Sequence, residues 1–164
     1  MAGAKIQAVQ QVETEEVVDS VASERKLTRQ ESLEKELLEL ILAYPELNNS
    51  LEDLKVEHTS ELHRDIFDFL KNNTRFKFDD LLKALPNQEN YVKILSLKGE
   101  QQYADLTVHD KRLEAFTQVA RIEEIYKQIL KRQLASQLSQ AEADGDSKKT
   151  KDLLRQYQAL LNED

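Results

Sequence analysis

The last part of the chain, roughly fifty residues, carries the clearest pattern of apolar and polar positions. Between about Val108 and Ala143, apolar residues recur at helical spacing and neither Pro nor Gly interrupts them. The tripeptide Asp144-Gly145-Asp146 then breaks the pattern, and its composition is typical of a turn. A second amphipathic stretch follows. The pattern therefore predicts a long helix, a tight turn and a short helix folded back on the first one.

The long helix begins at Thr107, whose spacing to Asp110 resembles a capping box. About 35 residues at about 1.5 Å each give a rod of roughly 52 Å. Its apolar stripe is wide in the first half (Phe116, Val119, Ile122, Ile125, Tyr126, Ile129 and Leu130) and narrow in the second (Leu134, Leu138 and Ala141). A wide stripe needs more than one packing neighbour. We expect the first half to complete a bundle with upstream helices and the second half to pair with residues 147–162.

Upstream of the long helix, five shorter segments also show helical spacing. The first begins at a capping box, Thr28 to Glu31, and Pro45 ends it. The others are centred on Leu47–Leu54, Leu62–Leu70, Leu81–Leu85 and Tyr91–Leu95. No segment has the period-two alternation of a strand.

Three residues in this region have the chemistry of helix ends. We expect Asp79 to cap the fourth helix and Asn87 to cap the fifth, because both side chains accept hydrogen bonds from free helix-end N–H groups. Gly99 suits the left-handed position that closes a helix.

The predicted fold class is all-α: a helical bundle, a long stalk helix and a C-terminal helical hairpin. The chain has 164 residues but only 3 Gly and 2 Pro, too few turn-formers for a β-sandwich or barrel. We divide it into a flexible linker or cloning remnant (residues 1–28), the bundle (29–124) and the hairpin (125–164).

The composition also bounds the environment of the protein. It has no Cys, which excludes disulfides and cysteine-ligated zinc and is compatible with the cytoplasm. No apolar run approaches the roughly 20 residues that span a membrane. We therefore expect a cytoplasmic protein without a membrane partner.

Charge argues against nucleic acid as a direct partner. The net charge is −8, and the acidic excess lies mainly in residues 33–108, whereas residues 109–164 are balanced. A phosphate backbone requires a basic face. The best basic cluster is Lys148, Lys149, Lys151 and Arg155, for which a solvated helix face is the favoured interpretation.

Catalytic chemistry has no recognisable pattern in the chain. It has no glycine-rich phosphate loop and no nucleophilic cysteine. His58 and His63 lie five residues apart, a spacing that does not share a helix face, so we interpret them as surface or capping residues. The Asp144-x-Asp146 pair fails as a calcium loop because Lys148 occupies a ligand position. We expect no catalytic, metal or cofactor site and no enzymatic activity in this chain.

Two segments of the bundle carry a resemblance to a known family. They read Glu34-x-x-Leu37-Leu38-x-Leu40-Ile41-Leu42-x-Tyr44-Pro45-x-Leu47 and Leu62-His63-x-x-Ile66-Phe67-x-Phe69-Leu70. Together with the stalk and terminal hairpin, they resemble the C-terminal helicase-binding domain of bacterial DNA primase. The resemblance covers about residues 29–164.

The resemblance implies a function in primosome assembly during DNA replication. In that family the hairpin docks on the N-terminal domain of the replicative helicase and the bundle modulates helicase activity. Primer synthesis belongs to upstream modules that this chain lacks. The alternatives are the N-terminal domain of a replicative helicase, which has a similar helical fold, or another helical oligomerisation or adaptor domain. The primase interpretation predicts a chain that is monomeric alone.

The short C-terminal helix offers an apolar arc too wide for one partner helix to cover. We expect Tyr157 and Leu161 to contact the partner and Leu153 and Leu160 to hold the hairpin, although the two stripes could be exchanged. Further partner contacts are predicted for the neighbouring residues Leu154, Arg155 and Lys151.

Overall fold

The structure is a computed structural model that describes residues 25–163. Its α-helices are α1 (Arg29–Ala43), α2 (Arg64–Asn72), α3 (Phe78–Ala84), α4 (Glu89–Tyr103), α5 (Val108–Ala143) and α6 (Ser147–Asn162). Short 3₁₀ helices cover Pro45–Leu51, Val56–His58 and Pro86–Gln88. No strand occurs in residues 25–163, so the all-α prediction is confirmed. The predicted linker lies, up to residue 24, outside the described residues.

Helix α1 is the centre of the bundle. The predicted capping box is present: Thr28 N donates to Glu31 Oε2 at 2.8 Å, and Glu31 N donates to Thr28 Oγ1 at 3.1 Å. The sequence pattern suggested one apolar face, but burial extends around the helix. The fully or almost fully buried side chains are Leu37, Leu38, Leu40, Ile41 and Leu42. Helices α4 and α5 and the 3₁₀ helix Pro45–Leu51 all pack against α1 and produce this enclosure.

The contacts of α1 define the directions of its two long neighbours. Helix α5 is antiparallel to α1, because Lys111 Nζ lies 3.7 Å above the ring of Tyr44, whereas Leu33 and Ile125 line one groove at the opposite end. Helix α4 is parallel to α1, because Tyr91 near its beginning reaches Glu34 through His63, whereas Gly99 further along lies against Glu39 and Ala43. The segment between α1 and α4 must therefore return the chain from the end of α1 to its beginning.

Helices α4 and α1 approach each other closely at Gly99. This glycine lies inside α4 and not at its end, so the predicted left-handed cap is wrong. A Cβ atom on Gly99 would stand 1.8 Å from the carbonyl oxygen of Glu39 and 2.8 Å from Cβ of Ala43. Only glycine permits this approach, so packing against α1 explains why residue 99 is a glycine.

Two predicted helix caps are also wrong. Helix α3 begins at Phe78 after Lys77, so Asp79 lies in the first turn, where its charge favours the helix N-terminus. Asn87 lies in the 3₁₀ helix Pro86–Gln88, and α4 begins after it. Phe78 and Leu85, which stand at these two boundaries, both pack against the bundle core.

Helix α5 has the predicted start and length, since the Thr107 hydroxyl accepts from Asp110 N at 3.1 Å and the helix spans 36 residues. Val119, Ile122 and Ile125 are buried, but Phe116 is 45% exposed. The prediction that Phe116 completes the bundle is wrong. It points about 60° away from Val119 around the helix, beyond the arc that α1 and the 3₁₀ helix Pro45–Leu51 cover.

A fully buried carboxylate joins α1 to the segment that follows it. Glu34 Oε1 accepts from Ser60 N at 2.8 Å and Gln30 Nε2 at 2.9 Å. Its Oε2 lies 2.9 Å from His63 Nδ1 and also accepts from the Ser60 hydroxyl. His63 is completely buried, so its interpretation as a surface histidine is wrong; it does stand at the N-cap position of α2, although its side chain makes no capping bond. The ring holds the bundle together by pairing with Glu34.

The other nitrogen of His63 reaches α4. Its Nε2 lies 2.8 Å from the Tyr91 hydroxyl. Burial, together with the nearby carboxylates of α1, raises the pKa of Tyr91 to about 12. The hydroxyl therefore keeps its proton and can donate it to Nε2, while Nδ1 donates to Glu34.

We predict that Gly99→Ala destabilises the protein by about 3 kcal/mol or more, because two backbones must separate to admit one methyl group. Gly145→Ala is the matched control. Gly145 has φ +68° and nothing within 4 Å of the added Cβ, so it should cost only about 1 kcal/mol of conformational strain. Urea unfolding measures both; equal losses would contradict the close approach at Gly99.

Glu34 should make stability depend on pH. Burial alone raises the pKa of Glu34, but hydrogen bonds from His63 and Ser60 outweigh it and place the pKa below the ordinary 4.5. A carboxyl with a lowered folded-state pKa stabilises the fold above its unfolded pKa, and this contribution is lost as the pH falls through the folded value.

We predict that Glu34→Gln lowers the free energy of unfolding by about 2 kcal/mol near neutral pH, since it removes charge-assisted hydrogen bonds. The loss should shrink well below pH 4.5. Urea titrations at both pH values test this, with exposed Glu46→Gln as the control. A pH-independent loss would show that the charge of Glu34 is not the stabilising feature.

Candidate partner-binding surface of the hairpin

The turn between α5 and α6 has the geometry that the sequence predicted. Gly145 has φ +68°, and Asp146 N donates to Ala141 O at 3.0 Å while Gly145 N donates to Glu142 O at 3.1 Å. These two bonds form a Schellman motif. The Asp146 carboxylate then accepts from Lys149 N at 3.1 Å and caps α6. The turn thus satisfies both helix ends and holds α6 against α5.

The hairpin has a small hydrophobic core of its own, separate from that of the bundle. Its buried members are Leu134, Ala141, Leu153 and Leu160, and Leu130, Leu138 and Tyr157 pack against them. The bundle core ends on α5 at Ile122. Leu153 and Leu160 thus occupy the seam, as the sequence suggested.

The outer face of α6 carries an exposed apolar pair. Leu154 is 39% exposed and Leu161 is 46% exposed. Seven residues apart, they lie on nearly the same line along the helix. Lys151 and Arg155 are exposed and lie to one side of this line. We call Leu154, Leu161, Lys151 and Arg155 the outer face.

Tyr157 differs from the rest of the predicted contact set. It lies between the outer face and the seam, is half-buried and packs against the hairpin core. The structure therefore brings four of the five predicted contact residues onto one open surface and shares Tyr157 between that surface and the seam.

A second open surface lies on the bundle and was not predicted from the sequence. A groove of about 630 Å³ runs between α1 and α5, with Leu33, Ala120 and Ile125 among its lining residues and Arg29 and Arg121 as its basic ones. These residues come from segments far apart in the chain. No local spacing could signal the groove.

Other kinds of site have no support in residues 25–163. Over that range, no three His, Asp or Glu side chains are grouped so that they could hold a metal ion. Within the same range, none of the helices combines the length and the apolar character needed to cross a membrane.

Comparison with known proteins gives no match: no protein-family model, no curated protein and no solved structure matches the chain. The functional proposal therefore depends on the geometry of the hairpin and the residue patterns of the chain.

We predict that Leu153→Ala opens the hairpin, because truncating a buried leucine costs about 2 kcal/mol or more. Leu154→Ala, one residue away but exposed, should change stability by less than about 0.5 kcal/mol. Hydrogen exchange of the amides in residues 130–160 distinguishes the two variants. Equal protection in both would mean that Leu153 does not hold the seam.

Proposed function

We propose that this chain is the helicase-binding module of a bacterial DNA primase, which docks the primase on the N-terminal domain of the replicative helicase and modulates helicase activity. The observation that carries the proposal is the exposed apolar pair, Leu154 and Leu161, on a hairpin with its own core. The resemblance of residues 29–164 to that family supports it. In this proposal the module acts in the cytoplasm and is a monomer when alone.

The outer face suits a partner that offers an apolar groove. Leu154 and Leu161 lie about two turns apart, the spacing with which an amphipathic helix enters a groove. The seam holds the helix in its bound conformation before docking, so little conformational entropy is lost on binding. Exposed apolar surface on a small soluble domain commonly marks such a site.

The charged residues of the outer face indicate the charge that the rim of the partner's groove should carry. Lys151 and Arg155 are exposed beside the leucine pair. Positive charge at a rim favours a partner with carboxylates at the edge of its groove and speeds association more than it strengthens binding.

The second candidate is an oligomerisation domain, as in the N-terminal domain of a replicative helicase. One observation favours it: Leu113 and Phe116, three residues apart on α5, are both exposed on the bundle. Self-association through this surface would cover them. Light scattering at micromolar concentration separates the two functions, since a monomer supports the primase module and a stable dimer or ring supports the alternative.

We predict that Leu154→Ala and Leu161→Ala each weaken binding of the replicative helicase from the same organism. Truncating a buried interface anchor often costs about 2 kcal/mol or more, about thirtyfold in affinity. Tyr157→Ala should also weaken binding, but with some loss of hairpin protection because the ring packs on the seam. Isothermal titration with the helicase N-terminal domain measures the affinities.

Leu97→Ala is the matched control, because Leu97 is 60% exposed but lies on the bundle. Lys151→Ala should slow association mainly at low salt. Unchanged affinity in both leucine variants, with a helicase that binds the parent chain, would remove the outer face from the interface.

A further inference from the structure

The segment 52–60, which we call the strap, leads from the 3₁₀ helix Pro45–Leu51 towards α2 and contacts the stalk helix α5. Lys55 N donates to Glu123 Oε1 at 2.9 Å. His58 Nδ1 lies 2.5 Å from Glu123 Oε2. The ring of His58 also stacks on Tyr126, with 3.8 Å between the centroids and 10° between the planes. One carboxylate and one ring of the stalk thus hold the strap.

Side chains of α1 and α2 hold the strap from the bundle side. Gln30 Nε2 donates to His58 O at 2.7 Å, and Lys71 Nζ donates to Glu52 O at 3.1 Å. At its far end, Ser60 donates to the buried Glu34. Leu54 anchors the middle of the strap in the bundle core.

The strap meets the stalk between the two hydrophobic cores. On α5 the contiguous bundle core ends at Ile122, and the first residue that packs on the hairpin core is Leu130. Between them, Ile125 is buried beside the groove that Leu33 of α1 lines. Glu123 and Tyr126 lie in this interval. Polar and aromatic contacts of the strap therefore add to the lateral support that α1 gives beside the buried Ile125.

Water can reach the contacts between the strap and the stalk and compete for them. The side chains of His58 and Glu123 are 17% and 21% exposed. Contacts between partly exposed polar side chains open at lower free energy than the core does. The bundle side of the strap is better protected, since Glu34 and Leu54 are fully buried.

We propose that the strap is a releasable clamp that fixes the direction in which the stalk leaves the bundle. When His58 and Tyr126 separate, α5 loses one of its lateral supports beyond Ile122 and rocks on its remaining contacts with α1 around Ile125. From Glu123 to Ala143 the helix is a lever of about 30 Å, so a rotation of about 10° moves the hairpin turn by about 5 Å. A small local opening thus becomes a displacement of the hairpin.

The absence of cysteine allows a direct test. Two cysteines introduced at exposed Asp68 on α2 and exposed Glu142 near the turn carry spin labels, and pulsed electron paramagnetic resonance gives the distance between them. With the clamp closed, we expect one narrow distribution. With His58→Ala and Glu123→Ala combined, we expect a distribution at least about 5 Å wider or shifted by that amount, as the lever length requires.

The matched control is Glu89→Ala with Lys93→Ala, which removes an exposed ion pair of 2.5 Å on α4 and should leave the distribution unchanged. Because the double variant could lose the fold, His58→Phe serves as a second test. It keeps an aromatic ring beside Tyr126 but removes the bond to Glu123, and it should broaden the distribution to a smaller extent. A narrow, unshifted distribution in a folded double variant, or in His58→Phe when the double variant is unfolded, would overturn the clamp. No helicase is needed, so this outcome is independent of the proposed function.

Discussion

The enclosure of α1 is the constraint on which the rest of the bundle depends. Five successive or nearly successive apolar side chains of this helix are buried, so it has no face left for water over its second half. Glu31, Glu34 and Glu39 are buried with them. A buried carboxylate requires partners, because unpaired burial costs far more than a hydrogen bond returns. Each glutamate has one: Glu31 closes the cap, Glu34 binds His63 and Ser60, and Glu39 forms an ion pair with Lys35 at 3.0 Å that lacks the alignment of a hydrogen bond.

The same enclosure sets the identity of residues on other elements. A helix surrounded by neighbours leaves little space between backbones, and Gly99 is the residue that lets α4 approach the Glu39 carbonyl. Apart from Gln30 of α1 itself, the partners of Glu34 come from the segment that returns the chain from the end of α1 to the beginning of α4. The buried charge of Glu34 thus fixes the positions of His63 and Ser60. Ser60 in turn fixes the end of the strap.

Local sequence signals predicted the helices well, but they predicted poorly which side chains the neighbouring helices bury. Capping at Thr28 and Thr107, the end of α1 before Pro45 and the turn at Gly145 are each decided by a few neighbouring residues, so the sequence displays them. The predicted environments of Gly99, His63 and Phe116 are wrong because residues far away in the chain decide them. A glycine near a predicted helix end and a histidine near a polar run look the same whether exposed or buried. In the hairpin, spacing alone separated Leu153 and Leu160 from Leu154 and Leu161, since a single neighbouring helix selects one stripe.

The hairpin has a smaller hydrophobic core than the bundle and therefore less stability of its own. Its seam contains four buried side chains, so it can open at a free energy well below that of the bundle. A partner that binds the outer face of the closed hairpin stabilises it by mass action. The seam residues and the outer-face residues therefore both affect the equilibrium between the closed and the open hairpin, from different sides of α6. Tyr157 packs on the seam and lies between it and the outer face on α6, so it is the residue through which a bound partner would affect the order of the hairpin.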